Sequence, residues 1–154
     1  MSALKQKTLV MLLLCISLLF GGGVAYAATT ESDWWDTGLI FGVNYTQCAD
    51  LQTTDSGSTP WAYAKTWVRP TNTVAPVGYE GARAYLCYTS GAVYSSSPWM
   101  YNNTPAYAGA WMAQTHLVFV PKYSSWISWG ATQHWNGYGY YQYNTWQTRA
   151  LTVN

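Results

Sequence analysis

The sequence predicts an all-β protein, a small antiparallel sandwich or compact barrel. Three observations predict it. Short runs rich in β-branched and aromatic residues recur along the chain, and they are separated by Gly, Pro and Asn turn signals. No stretch carries a 3.6-residue apolar period of useful length; only residues 106–114 contest this, as a short helical turn. No solenoid-type repeat is present.

The N-terminus reads as a cleavable signal peptide over residues 1–27. Lys5 and Lys7 give a positive start, residues 9–20 form an apolar run, Gly21–Gly23 break it, and Ala25-Tyr26-Ala27 supplies the small residues that a signal peptidase reads. The run is shorter than the roughly 20 apolar residues of a membrane span. No later segment is apolar enough to cross a membrane, so secretion to the extracellular space is the expected fate. Residues 28–37 read as an acidic, loose leader, with Trp34-Trp35 docking its end. A single domain then covers residues 38–154.

Within that domain the elements follow in order. Residues 38–47 are rich in β-formers, and residues 50–60, with Asp55-Ser56-Gly57 and Pro60, read as a loop. Residues 61–69 alternate strictly. Trp61, Tyr63, Lys65, Trp67 and Arg69 share one face; Ala62, Ala64, Thr66 and Val68 share the other. Residues 82–89 form the next strand, Ser90-Gly91 a tight turn and residues 92–95 the return. Pro98 and Pro105 bound a loop containing Trp99 and Tyr101. Residues 110–120 and 122–135 are extended. Asn136-Gly137 is the strongest hairpin signal, pairing 138–146 back onto 122–135, and residues 148–153 close the domain.

Composition excludes several functions. Residues 28–154 carry five basic and six acidic side chains, a net charge of −1 with neutral histidines. Such a surface lacks the many phosphate contacts that nucleic-acid affinity requires, so no nucleic-acid partner is expected. The same segment holds 25 aromatic residues but only seven Leu and Ile. The interior is therefore expected to be built largely from rings, with the surplus meeting solvent. Cys48 and Cys87 remain after cleavage, and in an oxidising compartment they are expected to form one disulfide. Closing a loop of about 40 residues would stabilise the fold by roughly 4 kcal/mol.

Catalytic and metal signals are weak. His116 and His134 are the only histidines, and neither sits in a metal-ligand spacing. No metal or cofactor site is expected, and strand histidines beside rings read as packing residues. Asp33, Asp36, Asp50, Asp55 and Glu80 are the carboxylates available for acid–base work, but nothing selects a pair. Glu80 is expected to pair with Arg83 or to lie in a turn. Glu31, Asp33 and Asp36 read as a solvated tail before a calcium site. No Gly-x-Ser-x-Gly elbow or phosphate-cradling loop occurs.

The rings remain as the feature to explain. On residues 126–131, Trp126, Ser128 and Gly130 fall opposite Ile127, Trp129 and Ala131, and Trp129 shares its face with Trp135. Tyr141 and Tyr143 fall opposite Tyr140, Gln142 and Asn144. Rings thus occupy both faces of this hairpin, and one face must meet a partner or solvent. The expected ligand-binding set is Trp99, Tyr101, Trp126, Trp129, Trp135, Tyr141 and Tyr143. Flat apolar ring faces stack on sugars, while neighbouring amides and hydroxyls bond sugar hydroxyls.

Pro76-Val77-Gly78-Tyr79-Glu80-Gly81-Ala82-Arg83-Ala84-Tyr85-Leu86, together with Asn136-Gly137-Tyr138-Gly139-Tyr140, resembles small secreted aromatic-rich β proteins of Gram-positive bacteria. The likeness implies secretion and an all-β fold and transfers no catalytic residue. Richness in Tyr, Trp, Gly and Ser is also similar, more distantly, to lactococcin 972-type bacteriocins. The expected function is a secreted, non-enzymatic module recognising a glycan or cell-envelope component. A bacteriocin-like antibacterial protein and a small extracellular hydrolase are the alternatives.

Overall fold

The computed structural model describes residues 27–54, 59–106 and 109–153. Residues 1–26 of the signal-peptide reading therefore lie outside the described residues, as does Asp55; Ala27 opens β1. In chain order the described strands are β1 (Ala27–Glu31), β2 (Trp35–Ile40), β3 (Val43–Thr54), β4 (Trp61–Pro70), β5 (Glu80–Tyr88), β6 (Val93–Ser96), β7 (Met100–Tyr101), β8 (Trp111–Gln114), β9 (Val118–Phe119), β10 (Ser125–Trp135), β11 (Tyr140–Asn144) and β12 (Leu151–Thr152). Among the described residues no helix is long and apolar enough to cross a membrane.

All pairings are antiparallel, and they assemble two sheets that pack face to face as a sandwich. Each sheet is built on two long central strands. In the first, β3 pairs with β4 from Tyr45–Pro70 to Thr54–Trp61; β1 and β2 lie end to end along the far side of β3, and β8 and β9 along the far side of β4. In the second, β5 pairs with β10 from Glu80–His134 to Tyr88–Trp126; β6 and β7 flank β5, and β11 and β12 flank β10.

The strict alternation of β4 decides the packing. Its Ala62, Ala64, Thr66 and Val68 point inward and are fully buried. Across from them stand Ala82, Ala84 and Leu86 of β5 and Gly130 of β10. The sheets touch at Gly130: a Cβ placed there would lie 1.7 Å from the Thr66 hydroxyl oxygen. Two apolar clusters fill the interior. One gathers Leu51, Ala62, Ala64, Ala84, Leu86, Val120, Trp126 and Val153; the other gathers Ile40, Val43, Tyr45, Val68, Ala75, Ala82 and Ala113.

This interior corrects the expectation of a ring-built core. Among the described aromatics only Tyr45 and Trp126 are buried; the rest lie half-buried or exposed. Small side chains on the facing central strands bring the sheets close together around Gly130 and Thr66, so the rings other than Tyr45 and Trp126 lie on the outer faces and edges.

Several element boundaries also differ. The run 38–47 is broken at Phe41 and Gly42, both at positive φ (48° and 83°), which is the geometry of a tight β2–β3 hairpin turn. Strand β3 continues to Thr54 where a loop was expected, because β1 supplies it with a second pairing partner. The leader 28–37 is thus built into β1 and β2 of the first sheet. Residues 110–120 split into β8 and β9, where Thr115 turns its hydroxyl to the Ala64 N–H (3.0 Å). The Asn136-Gly137 hairpin is present. Its loop spans four residues, closed by the Asn136 side-chain oxygen accepting from the Tyr138 and Gly139 N–H groups (both 2.9 Å).

The Cys48–Cys87 disulfide is not formed; both thiols are free and buried. The alternation explains why. Cys48 lies between inward Gln47 and Ala49 neighbours on β3 and so faces outward from the first sheet. Cys87 follows inward Leu86 on β5 and faces outward from the second. Two sheets separate the sulfurs, well beyond the Cα separation of about 7 Å that a bridge tolerates.

Candidate functional site

The outer face of the second sheet concentrates the rings. On β10 the residues between the inward ones are Ile127, Trp129, Ala131, Gln133 and Trp135; the cross-strand partners of the last three on β11 are Asn144, Gln142 and Tyr140. On β5 the outward residues are Gly81, Arg83, Tyr85 and Cys87, and Tyr101 of β7 stands opposite Gly81.

Two ring groups result. The first is a continuous chain. Trp99 stacks on Tyr101 (centroids 6.3 Å), Tyr101 meets Tyr140 (5.2 Å), Tyr140 meets Trp135 edge-on (5.4 Å), Trp135 meets Tyr79 (6.4 Å), and Tyr79 meets Phe41 of the β2–β3 turn (6.2 Å). The second is the stack of Tyr85 on Trp129 at 4.2 Å. Amides lie among the rings. Tyr101 donates its hydroxyl to the Gln133 side-chain oxygen, and Gln133 donates to Gln142 (3.4 Å).

Local sequence explains these positions. Gly81 leaves room for the Tyr101 ring, whose nearest carbon would lie 2.6 Å from a Cβ at that site. Tyr140 is fixed by donating its hydroxyl to the Gly78 carbonyl (2.7 Å). Trp135 is held by its N–H bond to the Tyr79 carbonyl (2.9 Å).

Of the seven rings expected to bind ligand, Trp99, Tyr101, Trp129 and Trp135 meet on this face. Trp126 does not: it is 1 % exposed, sits in the core, and is sealed outside by Tyr88 and Tyr94. Its inward parity was legible, but which parity was inward was not. Tyr141 and Tyr143 also belong to the inward parity of β11. At this edge Tyr141 stays exposed, while Tyr143 packs on Trp35 (5.7 Å) and His134 (5.6 Å). Beside them an open groove of about 370 Å³ is lined by Trp35, Asn144, Thr145, Trp146 and Gln147. The sequence reading missed Tyr79, Tyr85, Arg83, Gln133 and Tyr140; the alternation of β5, β10 and β11 carried the signal for all but Tyr79.

The outer face of the first sheet carries a different row. Along β4, Trp61 stacks on Tyr63 (5.3 Å), and the Lys65 ammonium lies over both Tyr63 (5.2 Å) and Trp67 (5.6 Å). The Arg69 guanidinium lies over Trp34 (4.1 Å). Lys65 also approaches Asp50 at 3.9 Å, and burial raises the Asp50 carboxyl above the usual range against that attraction. Cations and rings here satisfy one another.

Between the sheets lies a buried polar cluster. Glu80 and His134 are cross-strand partners and neither reaches solvent. The Tyr45 ring covers the imidazole at 4.2 Å. Thr132 lies 3.0 Å from His134 Nε2 and donates its hydroxyl to Gln47, which in turn donates to the Asn144 carbonyl (3.1 Å). Both Glu80 carboxyl oxygens, His134 Nδ1 and the Tyr45 hydroxyl find no hydrogen-bond partner among the described residues. Burial pushes the Glu80 carboxyl up to about 8, lowers the His134 imidazole to about 3, and raises the Tyr45 phenol. At neutral pH the acid is thus protonated and the imidazole neutral. Glu80 opens strand β5 facing inward while Arg83 faces outward, so Glu80 neither pairs with Arg83 nor lies in a turn, correcting the sequence reading. Sealed as it is, this acid–base pair touches no space a substrate occupies. His116 stands exposed in the link between β8 and β9, and among the described residues no group of three His, Cys, Asp or Glu side chains is placed to hold a metal.

No family model matches the chain, and searches of curated proteins and of solved structures return no significant match.

Proposed function

We propose that this protein is an exported, non-enzymatic binding module that recognises a polysaccharide of the cell envelope or surroundings on the outer face of its second sheet. The observation that carries this reading is the ring chain Trp99–Tyr101–Tyr140–Trp135, interleaved with the Gln133 and Gln142 amides. Successive rings offer apolar platforms to successive sugars, and the amides offer both donors and acceptors to sugar hydroxyls. Trp135 sits on the central strand β10, and Tyr101 and Tyr140 on the flanking β7 and β11 are held by their hydroxyl bonds to Gln133 and the Gly78 carbonyl, which lowers the ordering entropy that opposes binding. Low net charge is consistent with a partner held mainly by stacking and neutral hydrogen bonds. Export rests on the charged start, apolar run and Ala-x-Ala end of residues 1–27.

Retention of the protein on insoluble polysaccharides tests the reading. Trp135→Ala and Tyr140→Ala should each weaken retention about tenfold, about 1.4 kcal/mol. Trp146→Ala, in the separate groove beside β11, should leave it unchanged. Failure of the wild-type protein to be retained on any glycan, or loss of retention with Trp146→Ala alone, would sink the proposal.

A further inference from the structure

We infer that the outer face of the second sheet selects carboxylated polysaccharides, with the Arg83 guanidinium holding a sugar carboxylate between the two ring groups. The inference rests on the glycan-binding reading of that face and names its ligand class. Among the described strand residues pointing outward from this sheet, Arg83 is the only charged one. It has no carboxylate partner: the one ion pair among the described residues is Lys65–Asp50, on the opposite side of the sandwich. The other two strand cations lie on the outer face of the first sheet: Lys65 meets Asp50 and two rings, while Arg69, like Arg83, has no carboxylate partner and meets Trp34 and the Thr46 hydroxyl (3.1 Å).

Arg83 is also held in place. Its Nε donates to the Ser97 carbonyl (3.0 Å), its Nη2 donates to the Ser96 hydroxyl (3.3 Å), and its guanidinium lies 5.2 Å from the Tyr85 ring centre. A guanidinium has five N–H donors. Two are used here, and the side chain keeps its positive charge with donors to spare. The register sets it midway along the face: Tyr85 and Trp129 lie one outward position to one side, Gly81 with Tyr101 and Gln133 one to the other, and Ala131 directly across. A sugar chain stacked on both ring groups would pass over Arg83. A carboxylate at that point gains a charge-assisted bond that a hydroxymethyl group cannot make. A neutral chain would leave the fixed cation covered and unpaired, which costs affinity.

Native affinity electrophoresis through gels containing polygalacturonate, alginate or hyaluronate tests this, each polymer run beside its carboxyl-reduced form. At least one carboxylated polymer should retard the protein, reduction should weaken that binding at least tenfold, and raised salt should weaken it on the carboxylated polymer alone. Arg83→Gln should abolish the difference between the two forms, and Arg83→Lys should keep part of it. If Arg83→Gln fails to fold, the polymer pairs and the salt series on wild-type protein still decide. Equal retardation by both forms, or retention confined to neutral glycans, overturns the carboxylate selectivity and leaves the glycan reading standing. No retention on any polymer overturns both.

Discussion

Glu80 and His134 face each other across the β5–β10 ladder, fully buried, with neither carboxyl oxygen bonded by a described residue. Together with Tyr45 they put three titratable groups inside a small sandwich. Retaining them un-ionised has a thermodynamic consequence that can be measured.

The first prediction follows from linkage. The Glu80 acid is held up to about 8 from an ordinary 4.5, so as pH rises through that interval the unfolded chain loses a proton the folded chain keeps, and stability falls. The His134 imidazole is lowered to about 3 from 6.5, so as pH drops through that interval the unfolded chain gains a proton the folded chain refuses, and stability again falls. Between 4.5 and 6.5 the two slopes oppose. Urea titrations across pH should give a plateau there, declining on both sides. Glu80→Gln should flatten the alkaline decline and His134→Gln the acid one; an unchanged profile in both variants would refute the assignment.

The contact between Gly130 and Thr66 yields a second. Gly130→Ala forces a methyl into the Thr66 side chain, so it should destabilise by about 1–3 kcal/mol. Trimming the neighbour with Thr66→Ala should recover part of that loss in the double variant. Strict additivity of the two changes in denaturant unfolding would show that the sheets do not meet there.

Trp126 and Trp135 separate stability from binding. Trp126→Ala empties the core beneath Tyr88 and Tyr94 and should cost about 3–5 kcal/mol. Trp135→Ala removes a half-buried ring from the outer face, so its thermal midpoint should drop far less while its glycan retention falls. The reverse ranking in thermal melts would contradict the inside–outside assignment of β10.

Tyr101 offers a test of platform geometry. Gly81→Ala adds a methyl under its ring, which must tilt away from Gln133. Retention on glycan should weaken severalfold without loss of the folded circular-dichroism spectrum.

The thiols give the last prediction. Burial pushes Cys48 up to about 12 and raises Cys87, against a smaller opposing hydrogen bond from Trp129. Neither thiol should react with a thiol reagent until urea unfolds the chain, and reductant should leave the thermal midpoint unchanged. A midpoint lowered by reductant would instead reveal a bridge.

Much of the architecture was legible in the residues themselves. The alternation of Trp61–Arg69 announced a strand, Asn136-Gly137 a hairpin, and the Gly and Pro punctuation an all-β chain; all three are present. Residues 38–47 misled because Phe41 gives no turn signal; its positive φ is imposed by the hairpin it closes. Part of the ring-bearing outer face was legible too, since Trp129 and Trp135 share a parity. Tyr140 joins Trp135 through the local β10–β11 hairpin, whereas Arg83 and Tyr85 join them only through pairing between strands distant in sequence.

The amino-acid order alone determined which side chains share a face, because a pleated strand turns successive residues to opposite sides. It did not determine which face is covered. That was decided when Ala62, Ala64 and Thr66 met Ala82, Ala84 and Gly130, small against small, drawing the sheets together and leaving the rings outside. Only the same tertiary pairing placed Glu80 against His134, parted Cys48 from Cys87, and set Arg83 among rings, since each depends on chain segments meeting across a distance that no local pattern encodes.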